Sequence, residues 1–328
     1  WGNSSPSTPY TANKAGKGPA WSNSLFVDNA VFGYGMLLAQ QAIRDGLKAK
    51  VEEVAANENA TAEVKAACQE WLDTFSVGAT NGAATDKLVA ALENVDCPTC
   101  KDIVKNKDFL AKKSQWIFGG DGWAYDIGFN GVDHVLASGK DINIMVFNTE
   151  VYSNTGGQSS KATPTGAVAQ FAAGGKEVKQ KDLAAIAMSY GYVYVAQISM
   201  GADMNQTIKA IAEAEAYPGP SLIIAYAPCI NHGIKKGMAK AQTEEKLAVQ
   251  SGYWNIFRYN PAAEGKKFTL DCKPATVDYQ EFIKGEVRYT SLALKNPERA
   301  EKLFAQAEQN AKDKYAYLEK LVTLYDKQ

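Results

Sequence analysis

Polar residues follow two apolar runs of the chain, at the point where each run ends. The runs cover residues 116–118 and 142–147 and have the length and composition of buried parallel strands. Between them, residues 126–138 carry apolar side chains at helical spacing, so the segment predicts a strand, a helix and a second strand. Gly120-Asp121-Gly122 follows the first run, and Asn148-Thr149-Glu150-Val151 follows the second. Because open parallel sheets bind ligands outside the carboxyl ends of their strands, these residues are candidates for a binding site.

The residue types at these two strand ends suit a hard cation. Asp121 offers an anionic oxygen, Thr149 a hydroxyl oxygen and Val151 a backbone carbonyl. Mg²⁺ takes such oxygen ligands, with one or two carboxylates, and completes its shell with substrate phosphates and water. Gly120 and Gly122 allow the backbone to come close to a ligand. The pattern predicts a magnesium site that holds a diphosphate, although the three residues 120–122 alone would also suit an ordinary turn with Asp121 as a helix cap.

Helical and strand patterns continue to alternate further along the chain. Helical spacing covers residues 181–190 and 203–216, and strand patterns cover residues 192–198 and 221–227. This alternation predicts an α/β fold, with a mostly parallel sheet flanked by helices. We expect the site residues to lie at one edge of that sheet.

The composition of the chain changes along its length and predicts three parts. Residues 1–45 and 111–262 form the predicted α/β core, residues 46–110 a helical insertion within it, and residues 263–328 a helical C-terminal tail. The chain begins with Trp1 in a loop-like segment, so we expect it to be a piece of a longer polypeptide.

The overall composition excludes several classes of protein. The 328 residues have a formal net charge of −1, which argues against nucleic acid or an acidic membrane surface as the main partner. Five cysteines at scattered positions do not form the pattern of a disulfide framework. No apolar run has membrane-spanning length and no signal peptide is visible, so a cytoplasmic location is expected.

The two strand ends together resemble the thiamine diphosphate (TPP) binding motif. That motif begins with Gly-Asp-Gly, as at residues 120–122, and usually ends in two asparagines. Here it ends in Asn148-Thr149, so Thr149 replaces an asparagine that is normally a metal ligand. This departure and the residues up to Gln158 resemble pyruvate:ferredoxin oxidoreductase and its 2-oxoacid relatives. The segment Gly18–Met36 is similar to a hallmark of the same family.

The resemblance implies a set of site residues and a TPP-binding fold. Mg²⁺ would be held by Asp121, Thr149 and the carbonyl of Val151. The amide of Asn154 would face the thiazolium ring and the bound oxoacid, where it could stabilise developing negative charge; the alternative is that Asn154 merely caps a turn. The implied cofactor-binding residues are Gly120, Asp121, Gly122, Trp123, Thr149, Glu150, Val151, Tyr152, Ser153 and Asn154.

Two groups of cysteines raise separate questions. Cys229 follows the strand pattern at residues 221–227, and the resemblance implies that it ligates a 4Fe–4S cluster near the TPP. Without the resemblance, a buried thiol would be the sensible interpretation, as His232 beside it would be a turn residue. Cys97-Pro98-Thr99-Cys100 has the spacing of a redox or metal motif, but the favoured interpretation is a free surface pair or an incidental local disulfide.

The resemblance therefore implies an enzyme that oxidatively decarboxylates pyruvate with coenzyme A to acetyl-CoA and CO₂. Electrons would pass through 4Fe–4S clusters to ferredoxin or flavodoxin, and two chains commonly pair as a homodimer in this family. The remaining domains of the polypeptide, including the pyrimidine-binding domain, are implied partners, so the chain alone is expected to be inactive. The alternatives are another 2-oxoacid:ferredoxin oxidoreductase, a non-redox TPP decarboxylase, or a non-catalytic module for nucleotide binding or subunit interaction.

Overall fold

The computed structural model of the chain describes residues 4–5, 16, 21–22, 24 and 27–326. These residues form two compact units, a sheet unit of residues 1–32 and 116–328 and a helical unit of residues 33–115. Residues 18–20, 23 and 25–26 of the segment similar to the family hallmark lie outside the described residues.

The sheet unit is built on one sheet whose six strands all lie within the described residues. Their order across the sheet is β3-β4-β6-β5-β7-β8, in which the first four are parallel and the last two are antiparallel additions. A separate antiparallel pair joins β1 (Ser4–Ser5) to β2 (Trp21–Ser22). The sheet strands are β3 (Trp116–Gly120), β4 (Asn143–Asn148), β5 (Tyr194–Ile198), β6 (Ser221–Tyr226), β7 (Phe257–Tyr259) and β8 (Phe268–Leu270).

Burial explains why the central strands form from these residues. β5 is buried at every position, and β4 and β6 at all but one each, as expected for parallel strands with both faces covered. Neighbouring strands start in register, with Asn143 beside both Trp116 and Ser221. The predicted α/β fold, with its mostly parallel sheet and helical C-terminal tail, is confirmed.

Helices flank this sheet and form the tail of the chain. Asp203 caps α7 by accepting a hydrogen bond from the backbone N–H of Gln206 at 3.0 Å, and Asn296 caps the last helix by accepting one from Arg299 at 3.1 Å. The helices of this unit are α5 (Phe129–Ala137), α6 (Leu183–Met188), α7 (Met204–Ala216), α8 (Ala241–Gln250), α9 (Tyr279–Ile283), α10 (Val287–Lys295) and α11 (Pro297–Tyr325).

The helical unit packs around its own apolar cluster, which includes Val51, Trp71, Leu88 and Ile103. It contains α1 (Asn29–Ala56) from residue 33 onward, together with α2 (Ala62–Asp73), α3 (Gly78–Leu92) and α4 (Pro98–Lys105). The sequence pattern placed the insertion at residues 46–110, whereas the compact unit spans residues 33–115. The N-terminal limits differ because α1 continues without a break through residues 45 and 46.

None of the helices in the described part of the chain combines the length and the apolar character of a membrane-spanning segment.

Candidate cofactor site

Asp121 is positioned by the turn that follows β3. The strand ends at Gly120, and a π-helical turn, Gly122–Ile127, begins directly after Asp121. A Cβ atom at Gly122 would lie 2.6 Å from the ring of Tyr152, so only glycine lets this ring cover the turn. Asp121 is completely buried as a result.

The three predicted oxygen ligands come together at this point. The Thr149 hydroxyl lies 2.8 Å from Asp121 Oδ1 and 3.0 Å from the carbonyl oxygen of Val151. A hydroxyl has one proton, so it can donate only one of these two hydrogen bonds. Neighbouring oxygens around an octahedral Mg²⁺ lie about 3 Å apart, because each metal–oxygen bond is about 2.1 Å. The two distances from the Thr149 hydroxyl therefore match the spacing of neighbouring ligands of a Mg²⁺ ion.

Hydroxyl and amide donors complete the surroundings of Asp121. The Ser160 hydroxyl donates to Oδ2 at 2.6 Å, and the Thr149 backbone N–H donates to Oδ1 at 3.1 Å. Ser153 in turn donates to the Thr149 hydroxyl at 2.7 Å. We refer to Asp121, Thr149, Val151, Ser153 and Ser160 as the oxygen cluster.

The oxygen cluster has one carboxylate, and among the described residues no Lys or Arg side chain forms an ion pair with it. The Lys176 ammonium donates to the backbone carbonyl of Ser160 at 2.9 Å. Burial raises the pKa of Asp121 to about 6, although hydrogen bonds from Ser160 and Thr149 oppose the increase. Within the described residues there is no group of three or more His, Cys, Asp or Glu side chains that could hold a metal ion. A cation here would therefore depend on oxygens from a ligand, and a diphosphate supplies them.

Glu150 follows Thr149 but belongs to different surroundings. Its backbone has φ of +61°, a left-handed conformation that is rare for a residue other than glycine. Its completely buried carboxylate accepts hydrogen bonds from Tyr253 at 2.6 Å, Arg288 at 2.7 Å and Gln180 at 3.1 Å. Glu150 was implied to bind the cofactor, and the structure shows a side chain whose polar contacts are with other residues of the chain.

The contacts of Glu150 extend into a larger buried group. Arg288 also donates to Glu286 at 2.7 Å, and despite the burial of Glu286 this contact with Arg288, together with His232, holds the pKa of that acid below its usual value. His232 Nε2 lies 2.8 Å from the carbonyl oxygen of Thr149. We refer to Glu150, Arg288, Glu286, His232 and Tyr253 as the ion-pair network.

Part of this network lacks close partners. His232 Nδ1 and Glu286 Oε1 lie 3.6 Å apart, beyond hydrogen-bond distance, and neither atom has a hydrogen-bond partner among the described residues. His232 lies in the short 3-10 helix Ile230–His232, as the turn interpretation expects, and its imidazole is completely buried. The sequence signal that could have found it is its place directly after the β6 strand end, beside Cys229.

The other implied site residues lie on the turn and on the loop after Val151. Trp123 is 1% exposed, and its indole N–H has no hydrogen-bond partner in the described part of the chain. Tyr152 covers Gly122, whereas Asn154 is exposed in the turn that follows Ser153. Asn154 is thus free of the buried contacts that hold Thr149 and Glu150.

Cys229 lies beyond the end of β6, at the same edge of the sheet. Cys229 is 8% exposed, and its sulfur accepts hydrogen bonds from the backbone and side-chain N–H groups of Asn231 at 3.5 and 3.4 Å. Gly157 has φ of +85°, and a Cβ atom there would lie 2.7 Å from Asn231 Oδ1. The loop that carries Asn154 therefore packs directly against the residue that contacts Cys229.

Comparison with known proteins defines the class of this chain. Residues 105–225 match the family described as thiamine pyrophosphate enzyme, C-terminal TPP binding domain. This range includes Asp121, Thr149 and Val151, so the oxygen cluster lies within the residues that match this family.

Individual relatives narrow this class further. The chain is 52% identical to the pyruvate-flavodoxin oxidoreductase of Klebsiella pneumoniae and 54% identical to the pyruvate:ferredoxin oxidoreductase of Moorella thermoacetica, in each case over 98% of the chain and 28% of the relative. It is 46% identical to the mitochondrial pyruvate dehydrogenase (NADP(+)) of Euglena gracilis, over 94% of the chain and 17% of that protein. The resemblance to the TPP-binding domain of pyruvate:ferredoxin oxidoreductases is confirmed. The chain spans a little over a quarter of the first two relatives.

Proposed function

We propose that this chain is the TPP- and Mg²⁺-binding part of a pyruvate:ferredoxin (or flavodoxin) oxidoreductase. That enzyme would oxidatively decarboxylate pyruvate with coenzyme A to acetyl-CoA and CO₂ and pass electrons through 4Fe–4S clusters to ferredoxin or flavodoxin. The observation that carries the proposal is the cluster of Asp121, Thr149 and Val151 oxygens in a chain 52–54% identical to such enzymes.

The residues of the oxygen cluster hold the metal and through it the diphosphate. Asp121 supplies the negative charge, and the Thr149 hydroxyl and the Val151 carbonyl supply neutral oxygens. Ser160 and Ser153 donate to Asp121 and Thr149, which orients the oxygens of these ligands. TPP, when bound, supplies the electron sink that decarboxylation of a 2-oxoacid requires.

Two further residues extend the proposed site. The exposed amide of Asn154 binds the carboxylate or the carbonyl oxygen of the oxoacid. Cys229 ligates a 4Fe–4S cluster, for which the N–H groups of Asn231 already point at its sulfur. The other cluster ligands lie elsewhere in the polypeptide, as does the pyrimidine-binding domain that completes the TPP site. The proposal also includes a cytoplasmic homodimer.

The metal site is tested by TPP binding to the full-length polypeptide that contains this chain. We expect Asp121→Asn to abolish Mg²⁺-dependent TPP binding, because the neutral amide does not supply the anionic oxygen. The matched control is Asp133→Asn. Asp133 lies on α5, outside the oxygen cluster, and accepts a hydrogen bond from Tyr190 at 2.7 Å. TPP binding that is unchanged in Asp121→Asn would contradict the proposal and favour a non-catalytic module.

The proposed role of Cys229 as a ligand of the 4Fe–4S cluster is tested by measuring the iron, sulfide and thiamine content. In the full-length polypeptide, Cys229→Ala should lose about four irons and keep its thiamine. Cys272→Ala is the control, because Cys272 contacts Asn255 and is a partly buried thiol of the same unit. Unchanged iron in Cys229→Ala would favour a non-redox TPP decarboxylase. Comparing the turnover of pyruvate with that of longer 2-oxoacids would separate the proposed substrate from the alternatives.

A further inference from the structure

Cys97 and Cys100 lie in the helical unit and form a pair with unequal surroundings. Cys97 caps α4, and its sulfur accepts a hydrogen bond from the backbone N–H of Cys100 at 3.4 Å. Cys97 is partly exposed, whereas Cys100 is 2% exposed and faces the apolar cluster of the unit. Both thiols are free, but Cys100 is buried, so the two cysteines do not form a pair on the surface.

The local geometry permits a disulfide between these two residues. Residues three apart in a helix have Cα atoms about 5 Å from one another, as follows from the rise and radius of the helix. Disulfides join Cα atoms about 4.4–6.8 Å apart. Pro98 begins α4 and fixes the backbone at the point where such a bond would close. Little rearrangement of the helix would be needed.

The two thiols also differ in reactivity. Hydrogen bonds from the backbone and the thiol of Cys100 lower the pKa of Cys97, which favours a thiolate at the more exposed position. Burial raises the pKa of Cys100 to about 12, and the contact with Cys97 adds to the increase. An exposed nucleophilic thiol beside a buried thiol is the arrangement of a dithiol that undergoes exchange.

We propose that Cys97 and Cys100 form a redox-active dithiol that exchanges with low-molecular-weight disulfides such as oxidised glutathione. The Cys97 thiolate attacks one sulfur of the disulfide, forms a mixed disulfide and releases one thiolate. Cys100 then loses its proton and attacks the Cys97 sulfur, which releases the second thiolate. The two cysteines together lose two electrons and two protons, and one disulfide is reduced to two thiols.

A third cysteine, Cys68, and the lack of a group of metal ligands among the described residues bear on the chemistry of this pair. Cys68 is completely buried in the same apolar cluster, and burial raises its pKa to about 11. It is therefore a poor first nucleophile, although it could compete with Cys97 for Cys100. No group of three potential metal ligands exists among the described residues, so a disulfide is the chemistry that this pair supports. The proposal does not depend on the TPP site.

The first experiment uses the unmodified full-length polypeptide without oxygen. After incubation with oxidised glutathione, Cys97 and Cys100 should resist alkylation by iodoacetamide and be found as one linked peptide by mass spectrometry, and dithiothreitol should reverse this. In the reduced protein, Cys97 should react at least about 10-fold faster than Cys68, in line with its exposure and its lower pKa. Equal rates, or a bond between Cys68 and Cys100, would overturn the proposal.

Two variants separate the roles of the cysteines. In Cys100→Ser, Cys97 should accumulate as a stable adduct with glutathione, because the second thiol is missing. In Cys97→Ser, Cys100 should remain unmodified, because it is buried. Cys272→Ser is the control and should form the Cys97–Cys100 bond as the unmodified protein does. A glutathione adduct on Cys100 in Cys97→Ser would contradict the proposal that Cys97 is the attacking thiol.

Discussion

The oxygen cluster and the ion-pair network both bury carboxylates at the same edge of the sheet, but the carboxylates of the two groups have different partners. Asp121 is bonded to hydroxyl and backbone N–H groups, whereas Glu150 pairs with the guanidinium of Arg288 at 2.7 Å. Both carboxylates are completely buried. In the network, Arg288 pairs with both Glu150 and Glu286, whereas no Lys or Arg side chain of the described residues pairs with Asp121.

This difference supports our proposal that Glu150 serves structure and Asp121 serves binding. A buried charge is costly unless it is paired, so an acid that lacks a cation in the protein is the one that would gain most from a bound metal. Thr149 and Glu150 are adjacent in sequence and belong to different groups. The left-handed backbone at Glu150 directs the two side chains into separate surroundings.

The largest effect is expected where the network loses its cation. Arg288→Met should lower the free energy of unfolding by about 3–5 kcal/mol, because Glu150 and Glu286 would remain buried without Arg288. Urea unfolding measures the change. Arg299→Met is the control, since the Arg299–Glu177 pair is exposed and should contribute no more than about 1 kcal/mol. Equal losses of stability in the two variants would mean that the buried ion pairs of Arg288 contribute no more than the exposed pair of Arg299.

The oxygen cluster should respond to ligand instead. Mg²⁺ with TPP at about 100 times Kd should raise the free energy of unfolding of the unmodified protein by about 2.7 kcal/mol, and a chelator should reverse this. Asp121→Asn should show no such increase, and its stability without ligand should change by no more than about 1 kcal/mol, since no ion pair is lost. Denaturant unfolding with and without the chelator tests both statements. A large loss of stability in unliganded Asp121→Asn would assign Asp121 to structure.

A smaller effect is expected at the hydroxyl ligand. Thr149→Val keeps the shape of the side chain and removes its oxygen, so Mg²⁺-dependent TPP affinity should fall about 10-fold, or about 1.4 kcal/mol. Titration calorimetry on the full-length polypeptide gives the affinity. Thr149→Ser should restore most of it, because the oxygen returns. If Thr149→Val binds TPP as tightly as Thr149→Ser does, the Thr149 hydroxyl is not a metal ligand.

The smallest effect is expected at the edge of the cluster. Ser160→Ala removes the 2.6 Å hydrogen bond to Asp121 Oδ2 and should lower stability by about 1 kcal/mol. Its effect on TPP affinity should be smaller than that of Thr149→Val, because Ser160 orients a ligand and does not contribute one. Denaturant unfolding measures the change in stability, and titration calorimetry measures the change in TPP affinity. A reversed order of these two variants would mean that Oδ2 of Asp121 is the main metal contact.

Much of the fold could be predicted because its strongest signals are local. Strands buried on both faces are continuous apolar runs, and the predicted strand at 221–227 is close to β6, Ser221–Tyr226. The first turns of helix α3, Gly78–Leu92, are stabilised from outside the helix, because the buried side chain of Asn81 accepts hydrogen bonds from Arg44 and from the backbone N–H of Lys112. Such contacts depend on distant residues, so the pattern of the segment did not reveal them.

The same distinction holds for the site. Asp121, Thr149 and Val151 were predicted as ligands because they follow two strands that are adjacent in both sequence and space. Arg288 was missed, since it lies 138 residues from Glu150 in the chain. His232 lies 83 residues from Thr149 and was missed for the same reason. Partners at such separations become visible only when the chain is folded.

The left-handed turn at Glu150 has a consequence for how the site is filled. Because the buried bonds to Arg288, Tyr253 and Gln180 hold this turn, the loop after β4 is ordered by the folding of the sheet unit. The conformational entropy of that loop is therefore lost during folding and need not be lost again when a cofactor binds. The site is preorganised, so a cofactor that leaves would find the same geometry when it returns.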